Sequence, residues 1–296
     1  MEIQDLLEKL KKEREIYVIG HSNIDIDSAV SSKILSEILN NFGIDASYAV
    51  LEENYKFDAY NQKMVDACMK FKPTIIKKEE IQNCTFFLVD HNDYLQSVGK
   101  NAKIVGCIDH HPNSNKVSPA IITDFCATAL YIYNKFKAIY KFSKEQKFQI
   151  YMAFLNDSTF GKSSRYKESD EIVARELGFE FDYNEMFRKY FIPTDLEQGI
   201  ENILKNGLKS YKFGDIYFES GYVESFDTYK LEEFENAIRK RKNYLGIWID
   251  YTKSKTYVIF NYLNKIKKWQ YDFIASRATT ILNDVLLYLN IVISRL

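Results

Sequence analysis

The sequence lacks the features that mark secreted, membrane and nucleic-acid-binding proteins. Its four cysteines show no CxxC pair and no zinc-finger spacing, which indicates buried, reduced thiols. No apolar run approaches the roughly 18 residues of a membrane span, and the charged amphipathic stretch 1–14 is unlike a signal peptide. The formal net charge is only −1, so we expect no broad basic surface for duplex nucleic acid. These absences favour a cytoplasmic globular protein.

Histidine is also scarce, and its placement is informative. All four histidines lie in three short acidic clusters that follow apolar runs. These clusters occupy 20–27 (GHSNIDID), 89–92 (VDHN) and 108–111 (IDHH), and a fourth acidic cluster occupies 155–158 (LNDS). A single Asp-His pair in a loop is more often a solvated turn than a ligand. Four clusters that hold every histidine of the chain favour a site for divalent metal ions instead.

Short β-branched and aromatic runs alternate with helical patterns in the first part of the chain. Strands are predicted at 15–20, 46–51, 85–89 and 103–108. This alternation predicts an α/β fold, with a mainly parallel sheet and helices on both faces.

The later part of the chain has a different pattern, which predicts a smaller α+β domain. Its helices and strands end with a helix over about 271–287. We therefore predict a first domain at 1–180, a linker at 181–193 and a second domain at 194–296. The active site is expected in the cleft between the two domains.

The carboxyl ends of parallel strands form the ligand-binding edge of such a sheet, so the clusters should converge there. The helix after the first cluster would also present its N-terminus to a phosphate. Mixed imidazole and carboxylate donors suit Mn²⁺, with Co²⁺, Mg²⁺ or Zn²⁺ as alternatives. The donors exceed the needs of one ion, which favours two ions that share a carboxylate. His91 either binds metal or orients Asp90 from behind.

These motifs resemble those of the DHH phosphoesterase superfamily, which is named after the sequence Asp109-His110-His111. Within it, the chain is similar to the family II, manganese-dependent inorganic pyrophosphatases. Residues 20–28 look like their first motif, and the stretch 88–98 is similar to one distinctive of that branch. Residues 209–224 resemble the start of the DHHA2 domain, which caps the active site in this branch.

The resemblance implies a role for each candidate residue. It implies that His21 and Asp25 bind one ion, which Asp157 completes. Asp27 and His110 would bind the other ion, and Asp90 would bridge the two. His111 would face the substrate phosphate and, with Asp90, carry the catalysis. Asp109 would act from behind the ligands, as His91 would if it does not bind metal.

The implied reaction is hydrolysis of inorganic pyrophosphate to two phosphates by a hydroxide that bridges the two ions. One alternative is exopolyphosphatase activity on short polyphosphate. Another is nucleotide phosphodiesterase activity, which the absence of the glycine-rich motif typical of DHHA1 domains disfavours. A third is a metal-binding regulatory module without turnover. The resemblance also suggests a homodimer that pairs through an edge strand.

The chain departs from the family pattern at several positions. Ile24 and Ile26 stand where the family has proline and threonine, and residues 112–115 (PNSN) stand where it has an arginine. The carboxy-terminal Ser-Arg-Lys-Lys-Gln motif, whose cations grip the distal phosphate, is also missing. The candidates that remain for phosphate binding are Lys162, Arg165, Arg277 and Arg295.

Overall fold

The computed structural model describes residues 3–206 and 208–293, and it divides into two compact units. The first unit runs to Gly161 and resumes over Arg165–Phe191. The second comprises Lys162–Ser164 and the chain from Ile192 onward. Within the described ranges, no helix combines the length and the apolar character that crossing a membrane requires.

A parallel sheet forms the centre of the first unit. Its strands are β1 (Ile16–Ile19), β2 (Ala46–Leu51), β3 (Thr74–Ile76), β4 (Thr85–Val89), β5 (Lys103–Asp109) and β6 (Ala120–Ile122). They lie in the order β3-β2-β1-β4-β5-β6, with every neighbouring pair parallel. The chain therefore builds outward from β1 in one direction and from β4 in the other. The switch point between β1 and β4 is where such sheets bind ligands.

The predicted parallel α/β fold is confirmed, and the structure adds two edge strands to it. The four strands predicted from apolar runs correspond to β1, β2, β4 and β5. The edge strands β3 and β6 have three residues each, which is too short for a periodic pattern to show.

Seven helices belong to the described part of the first unit. They are α1 (Ile3–Leu10), α2 (Ile26–Asn41), α3 (Ala59–Cys68), α4 (Thr128–Phe136), α5 (Lys144–Asp157), α6 (Glu168–Arg175) and α7 (Tyr183–Tyr190). Helix α2 packs on β1 and β2, and both α4 and α5 pack on α2. Its buried Ser31, Ser32 and Ser36 are small, which allows this close packing. Helix α7 lies inside the range 181–193.

The second unit contains a mixed five-stranded sheet. Its strands are β7 (Lys209–Phe213), β8 (Ile216–Ser225), β9 (Tyr244–Asp250), β10 (Lys255–Tyr262) and β11 (Lys265–Tyr271), in the order β11-β10-β9-β8-β7. Its helices are α8 (Ile200–Asn206), α9 (Leu231–Arg239) and α10 (Leu282–Ile293). Strands β8 and β9 pair in parallel, and the other neighbours are antiparallel. This arrangement confirms the predicted α+β character.

The helix predicted over about 271–287 begins too early. Residues up to Tyr271 belong to β11, and the chain re-enters helix as a π-helical turn, Arg277–Ile281, before α10. A tight turn at Leu263 and Asn264, both with positive φ, joins β10 to β11. Strand β11 is rich in lysine and mostly exposed, so it lacks the alternation that would have indicated a strand.

In the first unit, a close approach between β1 and α2 positions the first histidine cluster. A Cβ atom built on Gly20 would lie 1.9 Å from Ser28 Oγ and 2.9 Å from Ser28 Cβ. The adjacent backbone N–H of His21 donates to Ser28 Oγ at 3.1 Å. Glycine at position 20 therefore allows the end of β1 to lie against the first turn of α2.

We expect Gly20→Ala to lower the free energy of unfolding by about 1–3 kcal/mol, because the added methyl group overpacks this contact. Urea denaturation followed by circular dichroism measures the loss, and hydrogen exchange in α2 locates it. Ser28→Gly removes the clashing atoms, so the double variant should lose less than the sum of the two single variants. Additive losses would show that the contact with Ser28 is not the cause.

Candidate metal centre

The structure brings the histidine and aspartate clusters together beyond the ends of β1, β4 and β5. Asp90, which directly follows β4, lies at the centre and is 1% exposed. Its Oδ2 lies 3.2 Å from His21 Nε2, and its Oδ1 lies 3.1 Å from His110 Nε2. His110 Nε2 also lies 3.3 Å from Asp157 Oδ2.

Within residues 3–206 and 208–293, potential ligand atoms fall into three overlapping groups, in each of which all atoms lie within 4.8 Å of one another. The groups are His21, Asp25 and Asp90; Asp27, Asp90, His110 and Asp157; and Asp90, Asp109, His110 and His111. Asp90 belongs to all three groups, as a carboxylate shared between two ions would.

The position of Asp157 differs from the expectation that it completes the ion held by His21 and Asp25. It groups instead with Asp27 and His110. The reason is the packing of α5 on α2, which places the last residue of α5 beside the first turn of α2, where Asp27 lies.

Helix termini orient the two carboxylates of the first cluster. Asp25 is the N-cap of α2, and its Oδ1 accepts from the backbone N–H of Ser28 at 2.9 Å. Its other oxygen, Oδ2, lies 3.3 Å from His21 Nε2. Asp27, in the first turn of α2, faces the start of α4 and accepts from the backbone N–H groups of Thr128 at 2.7 Å and Ala129 at 2.9 Å. Both carboxylates are therefore held by backbone donors.

The backbone at Asp90 adopts a left-handed conformation with φ 60°, which aspartate tolerates better than most residues. Its Oδ2 is buried and receives no well-aligned hydrogen bond in the described part of the chain. Burial acts to raise the pKa of Asp90, but the imidazoles of His110 and His21 outweigh it and hold that pKa well below its usual range. Asp90 is therefore an anion with an unsatisfied oxygen that faces the cluster.

The other buried carboxylates of the cluster repel one another. Burial, followed by the charges of Asp90 and Asp25, raises the pKa of Asp27 well above its usual range. Burial and the charge of Asp27 do the same to the pKa of Asp157. Conversely, Asp25 and Asp90 outweigh burial and raise the pKa of His21 to about 10, so a protonated imidazole offsets part of the negative charge. Divalent cations suit such a donor set, because they supply more positive charge and accept both nitrogen and oxygen ligands.

A turn with an unfavourable backbone conformation closely follows Asp157. Thr159, Phe160 and Gly161 all have positive φ (48°, 52° and 74°). The Gly161 backbone N–H donates to Ser158 Oγ at 3.2 Å, and the buried Phe160 ring packs edge-on against Phe187. Threonine and phenylalanine rarely adopt this conformation, so the sequence contained no signal for the turn.

His91 lies behind the cluster and belongs to none of the three groups found among the described residues. Its Nδ1 donates to the Val89 carbonyl at 2.8 Å, and its Nε2 accepts from Ser97 Oγ at 2.6 Å. Burial, with a contribution from the charge of His21, lowers the pKa of His91 to about 4, so the ring is neutral. Both ring nitrogens are engaged away from the cluster.

The predicted phosphate-binding cations lie in different parts of the molecule. Arg165, in the first unit, donates from Nη2 to His110 Nδ1 at 2.7 Å and to the His110 carbonyl at 3.1 Å. Lys162 and Arg277 belong to the second unit, where the Arg277 guanidinium lies 4.8 Å from the centre of the Tyr222 ring. Arg295 lies outside the described residues.

Comparisons with known proteins agree with this architecture. Residues 15–155 match the model of the DHH family, N-terminal domain. The manganese-dependent inorganic pyrophosphatase of Bacillus subtilis (strain 168) is 25% identical over 179 residues, which are 55% of this chain and 54% of that protein. A "probable manganese-dependent inorganic pyrophosphatase" of an Exiguobacterium species is 26% identical over 230 residues, 72% of this chain and 71% of that protein. For the Bacillus relatives, the match thus spans about half of their length.

Solved structures show the same fold. The "putative family II inorganic pyrophosphatase" of Methanococcus jannaschii superposes with a TM-score of 0.73 at 18% identity, over 90% of this chain and 96% of that one. An exopolyphosphatase-related protein from Bacteroides fragilis superposes with a TM-score of 0.52 at 15% identity, over 87% and 82% of the two chains. The family resemblance predicted from the motifs is confirmed. Residues 15–155 match the DHH family, N-terminal domain, and the chain is similar to the family II, manganese-dependent inorganic pyrophosphatases.

Proposed function

We propose that this protein is a metal-dependent phosphohydrolase that cleaves inorganic pyrophosphate into two phosphates, with Mn²⁺ as its metal. The observation that carries the proposal is the buried carboxylate of Asp90, which is common to all the groups of potential ligand atoms and has an oxygen without a hydrogen bond. The pyrophosphatase relatives support both the metal and the substrate. The first unit would be the DHH domain and the second a DHHA2-like domain.

Two ions fit the donor set. His21 and Asp25 would hold one ion, Asp27, His110 and Asp157 would hold the other, and Asp90 would contribute to both. Two divalent ions, when bound, lower the pKa of water toward neutrality and offset negative charge on the departing phosphate.

His111 has the position of a residue that contacts the substrate. Its side chain is 33% exposed, whereas that of its neighbour His110 is 1% exposed. His111 Nδ1 donates to the buried Asp109 Oδ1 at 2.9 Å, which fixes the ring and leaves Nε2 for a phosphate oxygen. Burial, followed by the charge of His110, lowers the pKa of His111, and the charge of Asp109 opposes this shift. A bound phosphate anion would add to the effect of Asp109 and favour the protonated imidazole.

Arg165 is the cation of the first unit that we propose for phosphate binding. A guanidinium only donates, so in its contact with Arg165 the His110 Nδ1 is an acceptor and the ring proton lies on Nε2. If Nε2 binds a cation, the proton must move to Nδ1, and Arg165 must then turn away from it. The planar guanidinium of Arg165 would then be able to donate two parallel N–H···O hydrogen bonds to a phosphate. That Lys162 and Arg277 contact phosphate remains a prediction. That the protein forms a homodimer remains a prediction as well.

The substrate is tested by assaying the manganese-loaded protein against pyrophosphate, tripolyphosphate and a dinucleotide in parallel. We expect the highest kcat/KM with pyrophosphate, measured as phosphate release, with chromatography for the dinucleotide. Faster cleavage of tripolyphosphate would assign exopolyphosphatase activity instead. Manganese binding without cleavage of any substrate would favour a regulatory module.

The central role of Asp90 predicts a large effect of Asp90→Asn. Loss of a residue that merely supports a metal ligand typically costs 10–100-fold in activity, so loss of the shared ligand should lower kcat by at least about 100-fold. Metal analysis of the dialysed protein should also find fewer bound Mn²⁺ ions per chain. Asp124→Asn is the matched control, because Asp124 is an exposed carboxylate that pairs with Lys167. Equal activity of the two variants would contradict the assignment.

Repulsion among the carboxylates predicts opposite effects of Asp157→Asn on the metal-free and the metal-loaded protein. A neutral amide removes a buried carboxylate whose pKa is raised by burial and by Asp27, so the metal-free variant should melt at a higher temperature than the wild type. Mn²⁺ at 100 times its Kd should stabilise the wild type by about 2.7 kcal/mol, and the variant by much less. Thermal melts with and without Mn²⁺ measure both effects. If Asp157→Asn is less stable than the wild type without metal and is still fully stabilised by Mn²⁺, then Asp157 neither repels the other carboxylates nor binds the metal.

A further inference from the structure

We infer that Asn92 is a positioning residue for His111 and acts through the carboxylate of Asp109. Its effect on catalysis rests on the proposed function. The hydrogen-bond chain itself rests on contacts within the first unit. Asn92 is 3% exposed, and Asp109 is fully buried.

Every polar atom of the Asn92 side chain has a partner. Its Nδ2 donates to Asp109 Oδ2 and, at 3.1 Å, to the Pro112 carbonyl. Its Oδ1 accepts from the backbone N–H of Ser114 at 2.5 Å. A flipped amide would place its oxygen against two acceptors and its nitrogen against an N–H donor, so only the observed orientation satisfies the site.

Asp109 transmits this orientation to His111. Its Oδ1 accepts from the backbone N–H of His111 at 3.1 Å and from His111 Nδ1 at 2.9 Å. Its Oδ2 accepts from Asn92, so both carboxylate oxygens are engaged and the carboxylate cannot rotate freely. Without the Asn92 amide, Oδ2 would lose a hydrogen-bond donor inside the protein, which is costly for a buried carboxylate. The carboxylate would then reorient, and the His111 ring with it.

Asn92 also holds the segment after the double histidine. The Asn92 backbone carbonyl accepts from Ser114 Oγ at 2.6 Å, and the neighbouring Asp93 pairs with Lys116 at 2.5 Å. This segment includes the residues that stand where the related family has an arginine. A role confined to this segment is the competing explanation, and the experiment must separate it from the effect on His111.

The test compares Asn92→Leu with Ser114→Ala. Leucine has nearly the shape of asparagine but cannot donate to Asp109. Ser114→Ala removes a bond to the segment and leaves the Asp109 contact intact. We expect Asn92→Leu to lower kcat/KM for pyrophosphate by about 10–100-fold, as loss of a supporting residue does. Ser114→Ala should stay within about 3-fold of the wild type, and the Kd for Mn²⁺ should change little in either variant.

A double-mutant cycle with His111→Gln separates positioning from a general structural role. If Asn92 acts through His111, then Asn92→Leu should have little further effect on kcat/KM once His111 is replaced. Losses that multiply would overturn the inference. If Asn92→Leu does not fold, Asn92→Ala replaces it in the double-mutant cycle with His111→Gln.

Imidazole nitrogen signals give a readout that does not depend on turnover. Two-bond ¹H–¹⁵N spectra of the Mg²⁺-loaded protein resolve four histidines, and His111→Gln identifies the signal of interest. We expect the Nδ1–H pattern of His111 in the wild type and in Ser114→Ala, and its loss in Asn92→Leu. An unchanged His111 pattern in Asn92→Leu would overturn the inference. If the wild type cleaves no pyrophosphate, the proposed function fails, and these spectra still decide the role of Asn92.

Discussion

The geometry of this site depends on a buried carboxylate at the end of a central strand. Asp90 follows β4 at the switch point of the sheet, and residues from β1, α2, β5 and α5 surround it. Several carboxylates crowded into a buried volume are stable only when positive charge or hydrogen-bond donors face them. The protein supplies both, as backbone N–H groups at the start of α2 and α4 and as the imidazoles of His21 and His110. None of these donors makes a well-aligned hydrogen bond to Asp90 Oδ2. A bound cation would therefore stabilise this buried oxygen.

Backbone conformations that are unfavourable in isolation serve the same site. Asp90, Thr159 and Phe160 all have positive φ, and the last two directly follow Asp157. Such residues persist only where surrounding contacts hold them, as the edge-on packing of Phe160 on Phe187 does here. The conformational cost and the carboxylate repulsion both reduce the stability of the metal-free protein. A bound metal would restore part of it, which links folding to metal affinity.

The sequence was most informative where a local pattern carried the information. Buried apolar runs predicted β1, β2, β4 and β5, and the position of each histidine cluster after a strand predicted a shared edge. The sequence did not predict that Asp157 lies with Asp27 and His110, because this proximity depends on the packing of α5 on α2. The exposed, lysine-rich β11 was missed for a different reason, since an edge strand of this kind has no apolar alternation. The role inferred for Asn92 depends on partners 17 to 22 residues away, which no local pattern reveals.

Two of the departures from the family pattern lie beside the potential metal ligands, and neither replaces one of them. Ile24 and Ile26, in the first motif, are 6% and 0% exposed, so both side chains are buried in the interior. The Ile26 backbone N–H donates to Asn61 Oδ1 at 3.1 Å, which ties the start of α2 to α3. At the other cluster, the segment that stands in place of an arginine is held by Asn92 and Asp93. Both changes alter what packs around the site, while the histidines and aspartates of the three groups are all present. Under the proposed function, changes of this kind would bear on the choice of phosphate substrate, because an enzyme discriminates between substrates through the contacts that it makes with them.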